Sequence, residues 1–225
     1  MSKIIAVDDG HGLKTSGKRT PDGYKENFFN HFTKEYLIDE LEYNGFKIVD
    51  VSPTRDDNSL ADRCNRANKG NADIFVSIHF NAYIGEWQTK ASGIETYSYP
   101  GSVEGKKLCE KIHNQLIKGT KQNNRGVKTA KFYVLKYTIM PAVLCECGFM
   151  DNKTESALMK STAFRKECSQ EIAKGICDFF GKTYKEQTTT TVKYYVQAGA
   201  FSKEENAKEL VEKLKKDGYN AIIKT

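Results

Sequence analysis

The chain has 225 residues, 39% of them hydrophobic and 28% charged, with a formal net charge of +6 at pH 7. This reads as a soluble globular protein, long enough for one full α/β domain and a small appendage. No apolar run approaches the ~20 residues of a membrane span, so membrane insertion is excluded. The Lys-rich charge is too spread out for a nucleic-acid partner, although it suits an anionic polymer surface.

Six cysteines, Cys64, Cys109, Cys145, Cys147, Cys168 and Cys177, show no paired framework spacing. Free thiols in a reducing compartment are the expectation. The start, MSKIIAVDDGHG, has too short an apolar stretch for a secretory pattern. Synthesis in the cytoplasm without a signal peptide is expected.

Ile4–Val7 reads as the first strand. The loop DDGHGLKTSGKRTPDGY, rich in Gly, Asp and turn formers, follows and carries His11. Glu26 stands where a helical stripe of Phe29, Phe32, Tyr36 and Leu41 begins, and Gly45 ends that helix. A first-turn carboxylate commonly complements the helix dipole. Glu26 becomes a ligand candidate because His11 lies on the preceding loop. Phe46–Val51 is a second strand, and Ser59 with Asp62 predicts a capping box for a helix through Arg66.

Ile74–Ile78 is an apolar run of the kind that fills a buried strand, and it ends on His79, followed by Phe80 and Asn81. A loop with Trp87 leads to the strand SGIETYSY, which carries Glu95. Leu108, Ile112 and Leu116 predict a helix. His113 on this helix and His31 on the first one read as surface or packing histidines. NNRGVKTAKFYVLK reads as a polar loop entering a strand, and PAVLCECGFM as the last core strand, with Glu146 near its end. Cys145 and Cys147 flank Glu146 at period two, so both should point away from its face as small buried residues. Phe164, Cys168, Ile172, Ile176 and Phe179 mark a closing helix. The alternation predicts an α/β fold with a twisted, mostly parallel sheet flanked by helices on both faces.

After Gly181 the run KTYKEQTTTT reads as a linker. Beyond it VKYYVQAGAF is a strand candidate, Ser202 and Glu205 form an expected capping box, and Ala207, Leu210, Val211 and Leu214 lie on one helical face. Gly218 stops that helix and YNAIIKT begins another strand, giving a small βαβ segment. The expected division is 1–181, 182–191 and 192–225. A segment this small buries little apolar surface alone, so homodimer pairing through it is a further expectation.

Three strands lead into His11, His79 and Glu146, and open α/β sheets place ligands at such ends. Two imidazoles and one carboxylate are a common zinc set that leaves a position for water. His11, Glu26 and His79 supply it. Glu146 then fits the separate carboxylate that moves protons between water and leaving amine, with Glu95 as its competitor or as a support for other site residues.

At these residues the sequence resembles the zinc-dependent N-acetylmuramoyl-L-alanine amidases of amidase family 3. The resemblance covers roughly residues 3–180 and rests on DDGHG, YKENFFN, SLADRCNRANKGNADIFVSIHFNA, GIETY, RGVKTAKFYVL and LCECGFMDN. It implies Zn2+ bound by His11, Glu26 and His79, with Glu146 as catalytic acid/base. It also implies cleavage of the amide between the lactyl group of N-acetylmuramic acid and L-alanine of bacterial peptidoglycan. Arg125 and Asn81 are candidate substrate contacts. The family usually has Pro where Asp9 stands and a second Gly where Leu13 stands. The tail is similar to the first half of the SPOR repeat, a binder of peptide-stripped glycan. This arrangement resembles a phage or prophage endolysin, made in the cytoplasm and acting on the wall after release.

Overall fold

Six strands form one sheet in the order β2-β1-β3-β6-β4-β5. They are β1 (Ile4–Asp9), β2 (Lys47–Asp50), β3 (Ile74–Asn81), β4 (Ile94–Ser98), β5 (Asn124–Thr129) and β6 (Ala142–Phe149). β1 pairs in parallel with β2 and β3, and β3 with β6. β4 lies antiparallel to β6 and parallel to β5. The sheet is therefore mostly parallel, with one antiparallel junction that brings Glu95 opposite Glu146. The computed structural model describes residues 2–187, 198–199 and 201–219.

Period-two alternation along the strands builds two apolar layers. On one face Ile5, Val7, Ile74, Val76, Ile78, Val143, Cys145 and Cys147 pack against α1 (Glu26–Tyr43), α3 (Val103–Thr120), α5 (Lys153–Lys160) and α6 (Thr162–Phe179). On the other face Ala6, Phe75, Ala142 and Leu144 meet α2 (Leu60–Lys69) and α4 (Tyr133–Tyr137). Cys145 and Cys147 thus occupy the larger core, leaving Glu146 on the opposite face. All six cysteines are buried and free.

Local chemistry sets the helix boundaries. The Ser59 hydroxyl accepts the Asp62 amide at 3.0 Å and starts α2. Gly45, with φ 77°, follows α1 in the left-handed region that glycine enters at little cost. One assignment reverses. The polar stretch Asn124–Thr129 is strand β5, and FYVLK turns into α4 instead of a strand. β5 is an edge strand with half-exposed residues, so its polar side chains need no second apolar layer. A single helical turn lets the adjacent Val134 and Leu135 both reach the smaller core. α5 was not expected from the sequence. Asn152 caps it by accepting the Thr154 and Glu155 amides.

The polar run after Gly181 is pinned at its start. Tyr184 donates to Glu40 at 2.6 Å, the Lys185 amide donates to Asn44 at 2.8 Å, and Gln187 donates to the Asp39 carbonyl. Residues 1–187 form one compact unit and residues 188–225 a second. In the second unit α7 (Glu204–Lys216) begins after Lys203, which makes no side-chain cap, so the expected Ser202–Glu205 box is absent. Ala207, Leu210, Val211 and Leu214 are the partly buried positions of this helix, as their spacing predicts. Of the strands expected over VKYYVQAGAF and YNAIIKT, all but residues 198–199, 201 and 219 lie outside the described residues, and those four are not in a strand.

Gly175 of α6 has no room for a side chain, because an ideal Cβ would overlap backbone atoms of Ile112 on α3. For Gly119→Ala the nearest atoms belong to the Glu171 side chain, which can move. Exposed helix positions gain about 1 kcal/mol from Gly→Ala, whereas overpacking against backbone costs about 1–3 kcal/mol. Gly175→Ala is therefore expected to destabilise the fold and Gly119→Ala to be neutral or stabilising. Urea titration of both variants checks the difference in sign.

Candidate active site

The chain leaves β1 toward β2 on one side and returns through β3 on the other, so β1/β3 is a topological switch point. Open sheets gather ligands outside the carboxyl ends of strands at such a point. His11 lies two residues past β1 with φ 62°, a left-handed conformation uncommon for a side-chain-bearing residue. Gly10 precedes it, its amide bonded to the Ile78 carbonyl at 3.0 Å. A Cβ on Gly10 would lie 2.0–2.4 Å from three atoms of the His79 ring, so only glycine lets that ring cross the loop. Glu26 is the first residue of α1 and is buried, directed at both histidines.

His79 Nδ1 lies 3.1 Å from Glu26 Oε1, and His11 Nε2 lies 3.6 Å from Glu26 Oε2. The two rings meet edge to face with centroids 5.0 Å apart. One donor atom from each of His11, Glu26 and His79 falls within 4.8 Å of the others, a spacing that suits a single metal ion. Two imidazoles and a carboxylate are donors for a borderline metal such as zinc. Asn30 supports the carboxylate by donating to Glu26 Oε1 at 3.0 Å, and the Phe80 amide donates to the same oxygen at 3.1 Å.

These neighbours push the four titratable groups apart. Burial would raise the Glu26 carboxyl, but the His79 hydrogen bond and the charges of both histidines overturn it and hold Glu26 at about 2. Burial lowers His11 to about 4, against the pull of Glu26. His79 is raised, because its bond to Glu26 outweighs its own burial. Glu146 faces His79 across the β3–β6 pair. Its Oε2 is buried without a hydrogen-bond partner among the described residues. Burial raises Glu146 to about 8; His79 opposes this, and the negative charges of Glu26 and Glu95 add to it. A carboxyl of this kind can hold or release a proton near neutral pH.

Glu95 is also buried but fully engaged. Its Oε1 accepts Asn81 and the Tyr97 hydroxyl, each at 2.6 Å. Its Oε2 accepts Arg125 Nε at 2.9 Å and the Lys128 ammonium. Burial raises its pKa and the bonds from Lys128, Tyr97 and Arg125 more than reverse this, so Glu95 stays an anion. Of the two carboxylates, Glu146 is the one with an open oxygen. The structure thus brings Asn81 and Arg125 together on Glu95, beside Glu146.

The profile of the N-acetylmuramoyl-L-alanine amidase family matches residues 5–178, and that of the SPOR domain matches residues 190–225. The chain belongs to the N-acetylmuramoyl-L-alanine amidase family. It is 34% identical over 227 residues to the N-acetylmuramoyl-L-alanine amidase CwlM of Bacillus licheniformis, covering 99% of this chain and 85% of that one. It is 33% identical over 187 residues to the endolysin of Bacillus phage SPP1, covering 79% of this chain and 66% of the endolysin. The solved N-acetylmuramoyl-L-alanine amidase of Clostridium difficile 630 superposes with a TM-score of 0.76 at 26% identity, over 80% of this chain and 97% of that one.

Several residues of this amidase that shape the site escaped the sequence reading. Asn27 donates to the His11 carbonyl at 3.1 Å, and Asn30 to the Gly10 carbonyl at 2.7 Å. The buried Arg63 joins Asp8 and the carbonyls of Asp9 and His11. Asp8 also accepts the Ser77 hydroxyl at 2.6 Å. Asp9, where the family usually has Pro, takes His31 Nδ1 at 2.9 Å and lies 3.6 Å from the buried Lys34 ammonium. His31 is therefore a hydrogen-bond partner of Asp9 and not merely a packing residue, whereas the buried His113 bonds Asn124 within the fold. Glu26, Asn30 and Lys34 recur every four residues along α1, a polar stripe on a face otherwise expected to be apolar. That stripe was the available signal.

The shifts set opposite pH limits for the metal-free amidase. Glu146 is raised from 4.5 to about 8, so its contribution to stability is complete below pH 4.5 and is lost as pH rises to about 8. His11 is lowered from 6.5 to about 4, so its contribution is present above pH 6.5 and is lost as pH falls to about 4. Thermal melts in chelator are expected to show a Glu146→Gln advantage that grows between these Glu146 limits and then levels. A pH-independent difference would contradict the assignment.

Proposed function

We propose that this protein hydrolyses the amide between N-acetylmuramic acid and L-alanine in bacterial peptidoglycan, with zinc as its cofactor. The observation that carries the reading is the partly buried Glu146, whose shielded Oε2 has no hydrogen-bond partner among the described residues, facing His79 beside the His11–Glu26–His79 cluster. His11, Glu26 and His79 would hold the ion. When bound, zinc supplies Lewis acidity, polarising a carbonyl oxygen and making water a stronger acid.

The chain's own residues do the rest. Glu26 keeps both imidazoles in one orientation, and Asn30 with the Phe80 amide fixes Glu26 in turn. Glu146, lacking a competing partner, takes a proton from the attacking water and passes it to the alanine nitrogen as the C–N bond breaks. The departing peptide leaves as an amine, and the lactyl carbonyl carbon becomes a carboxylate. Arg125 and Asn81, both anchored on Glu95, contact the substrate alongside.

The division of labour we infer is a catalytic part over 1–181, a linker over 182–191 and a wall-binding segment over 192–225. Similarity to the SPP1 endolysin supports a lytic role of phage or prophage type. The similarity of residues 190–225 to the SPOR domain supports retention of the enzyme on glycan.

Glu146→Gln keeps the shape and removes the base. It is expected to retain bound zinc while turnover on cell walls falls by roughly 10²–10⁴-fold. His79→Ala is expected to lose both metal and activity. Metal analysis and turnover measured on the same preparations check this. Near-normal turnover in Glu146→Gln would move the proton-transfer role to Glu95 or a water chain, and full zinc content in His79→Ala would refute the ligand set.

A further inference from the structure

Glu95 carries more positive charge than one carboxylate neutralises. Arg125 and Lys128 both converge on its Oε2, while Asn81 and Tyr97 satisfy its Oε1. One anion thus meets two cations directly; Glu155 also feels the Arg125 charge, but its oxygens accept Gly93, Gln122 and Phe149 and bond neither cation. Glu95 is 3% exposed, yet the side chains of Arg125 and Lys128 are 34% and 38% exposed. Among the described residues only Nε of Arg125 is hydrogen bonded, so the outer edge of its guanidinium stays open to a ligand. The guanidinium also lies 4.7 Å from the centroid of the Phe149 ring at the end of β6, which fixes its plane. Two heads held this way lose little side-chain freedom on binding an anion.

Their position relative to Glu146 fits a group on the leaving peptide. Glu95 pairs directly with Glu146 across β4 and β6, and Lys128 pairs with Tyr97 across β4 and β5. Neighbouring strands lie about 4.8 Å apart, so β5 runs about 10 Å from β6, and long side chains reach back across part of that gap. An extended peptide advances about 3.5 Å per residue. The two cations therefore lie one to two residues from a bond positioned over Glu146.

We propose that Arg125 and Lys128, presented by the buried Glu95, form a carboxylate-binding subsite that selects stem peptides bearing a free carboxylate on the residue next to alanine. This rests on the amidase reading given above. Glu95 acts as a positioning residue, and the two cations make the contact. Guanidinium and ammonium bind a carboxylate through charge-assisted hydrogen bonds that the neutral carboxamide does not offer. The subsite thus makes the enzyme a reader of peptide amidation.

The test uses the full-length, zinc-loaded protein and two muramoyl peptides that differ only in that group, free carboxylate or carboxamide. kcat/KM is expected to favour the acid by roughly 10–100-fold, the range of one hydrogen bond between charged groups, with the preference shrinking as salt is raised. Lys128→Gln should collapse the acid-to-amide ratio through a higher KM for the acid, and Lys128→Arg should restore it. Lys128 sits on an edge strand and is partly exposed, and circular dichroism verifies that each variant is folded. Equal kcat/KM for both substrates in the unmodified enzyme would overturn the subsite while leaving the amidase reading intact. An unchanged ratio in folded Lys128→Gln would do the same. Failure to cleave either peptide, together with no new alanine amino termini from intact walls, would overturn both.

Discussion

Everything at this site depends on one buried carboxylate. Glu26 is 1% exposed and contacts two imidazoles from different parts of the chain, His11 on the β1 loop and His79 on β3. A buried anion is costly unless it is paired and hydrogen bonded. Glu26 meets that demand only when the β1 loop, the start of α1 and the end of β3 are all in register. The requirement explains the glycine at position 10, whose missing side chain admits the His79 ring, and the left-handed backbone of His11. It also explains Asn30, which ties Glu26 to the Gly10 carbonyl within a single side chain.

Beneath this centre lies a second set of buried charges. Arg63 from α2 binds Asp8 and the backbone of the His11 loop, and Lys34 from α1 bridges Asp9 and Asp50 on neighbouring strands. Removing one member of such a network strands the others without solvent, typically costing about 3–5 kcal/mol. The loop is thereby held by electrostatics from both layers of helices. Two carboxyls in adjacent strands then take different states. Glu95, with four donors, is an anchored anion, while Glu146 keeps one oxygen without a partner among the described residues and its pKa is raised, chiefly by burial. Their difference follows hydrogen-bond supply: Glu95 is buried with every oxygen bonded, while Glu146 is partly exposed and its shielded Oε2 has no partner among the described residues.

Most of the sheet, and the grouping of His11, Glu26 and His79, were legible because apolar runs ending in polar chemistry mark strand ends in an open sheet. The alternation around Glu146 also read correctly, since Cys145 and Cys147 had to share the other face. What escaped was whatever depended on a partner far along the chain. β5 looked like a loop because an edge strand needs no apolar alternation, and YVLK looked like a strand because two adjacent apolar residues do not declare their period. His31 looked ordinary because nothing local announces Asp9, and the gathering of Arg125, Lys128 and Asn81 on Glu95 requires the antiparallel β4–β6 junction to be known. The docking of Tyr184 and Lys185 on α1 is equally invisible in a polar run.

The bond that is broken tests the central claim most directly. Purified peptidoglycan digested with the full-length, zinc-loaded protein should release peptides with new free alanine amino termini, read by mass spectrometry. The glycan should keep intact muramic acid lactyl groups ending in carboxylate. New amino termini within the peptides, or new reducing sugar ends in the glycan, would contradict the account.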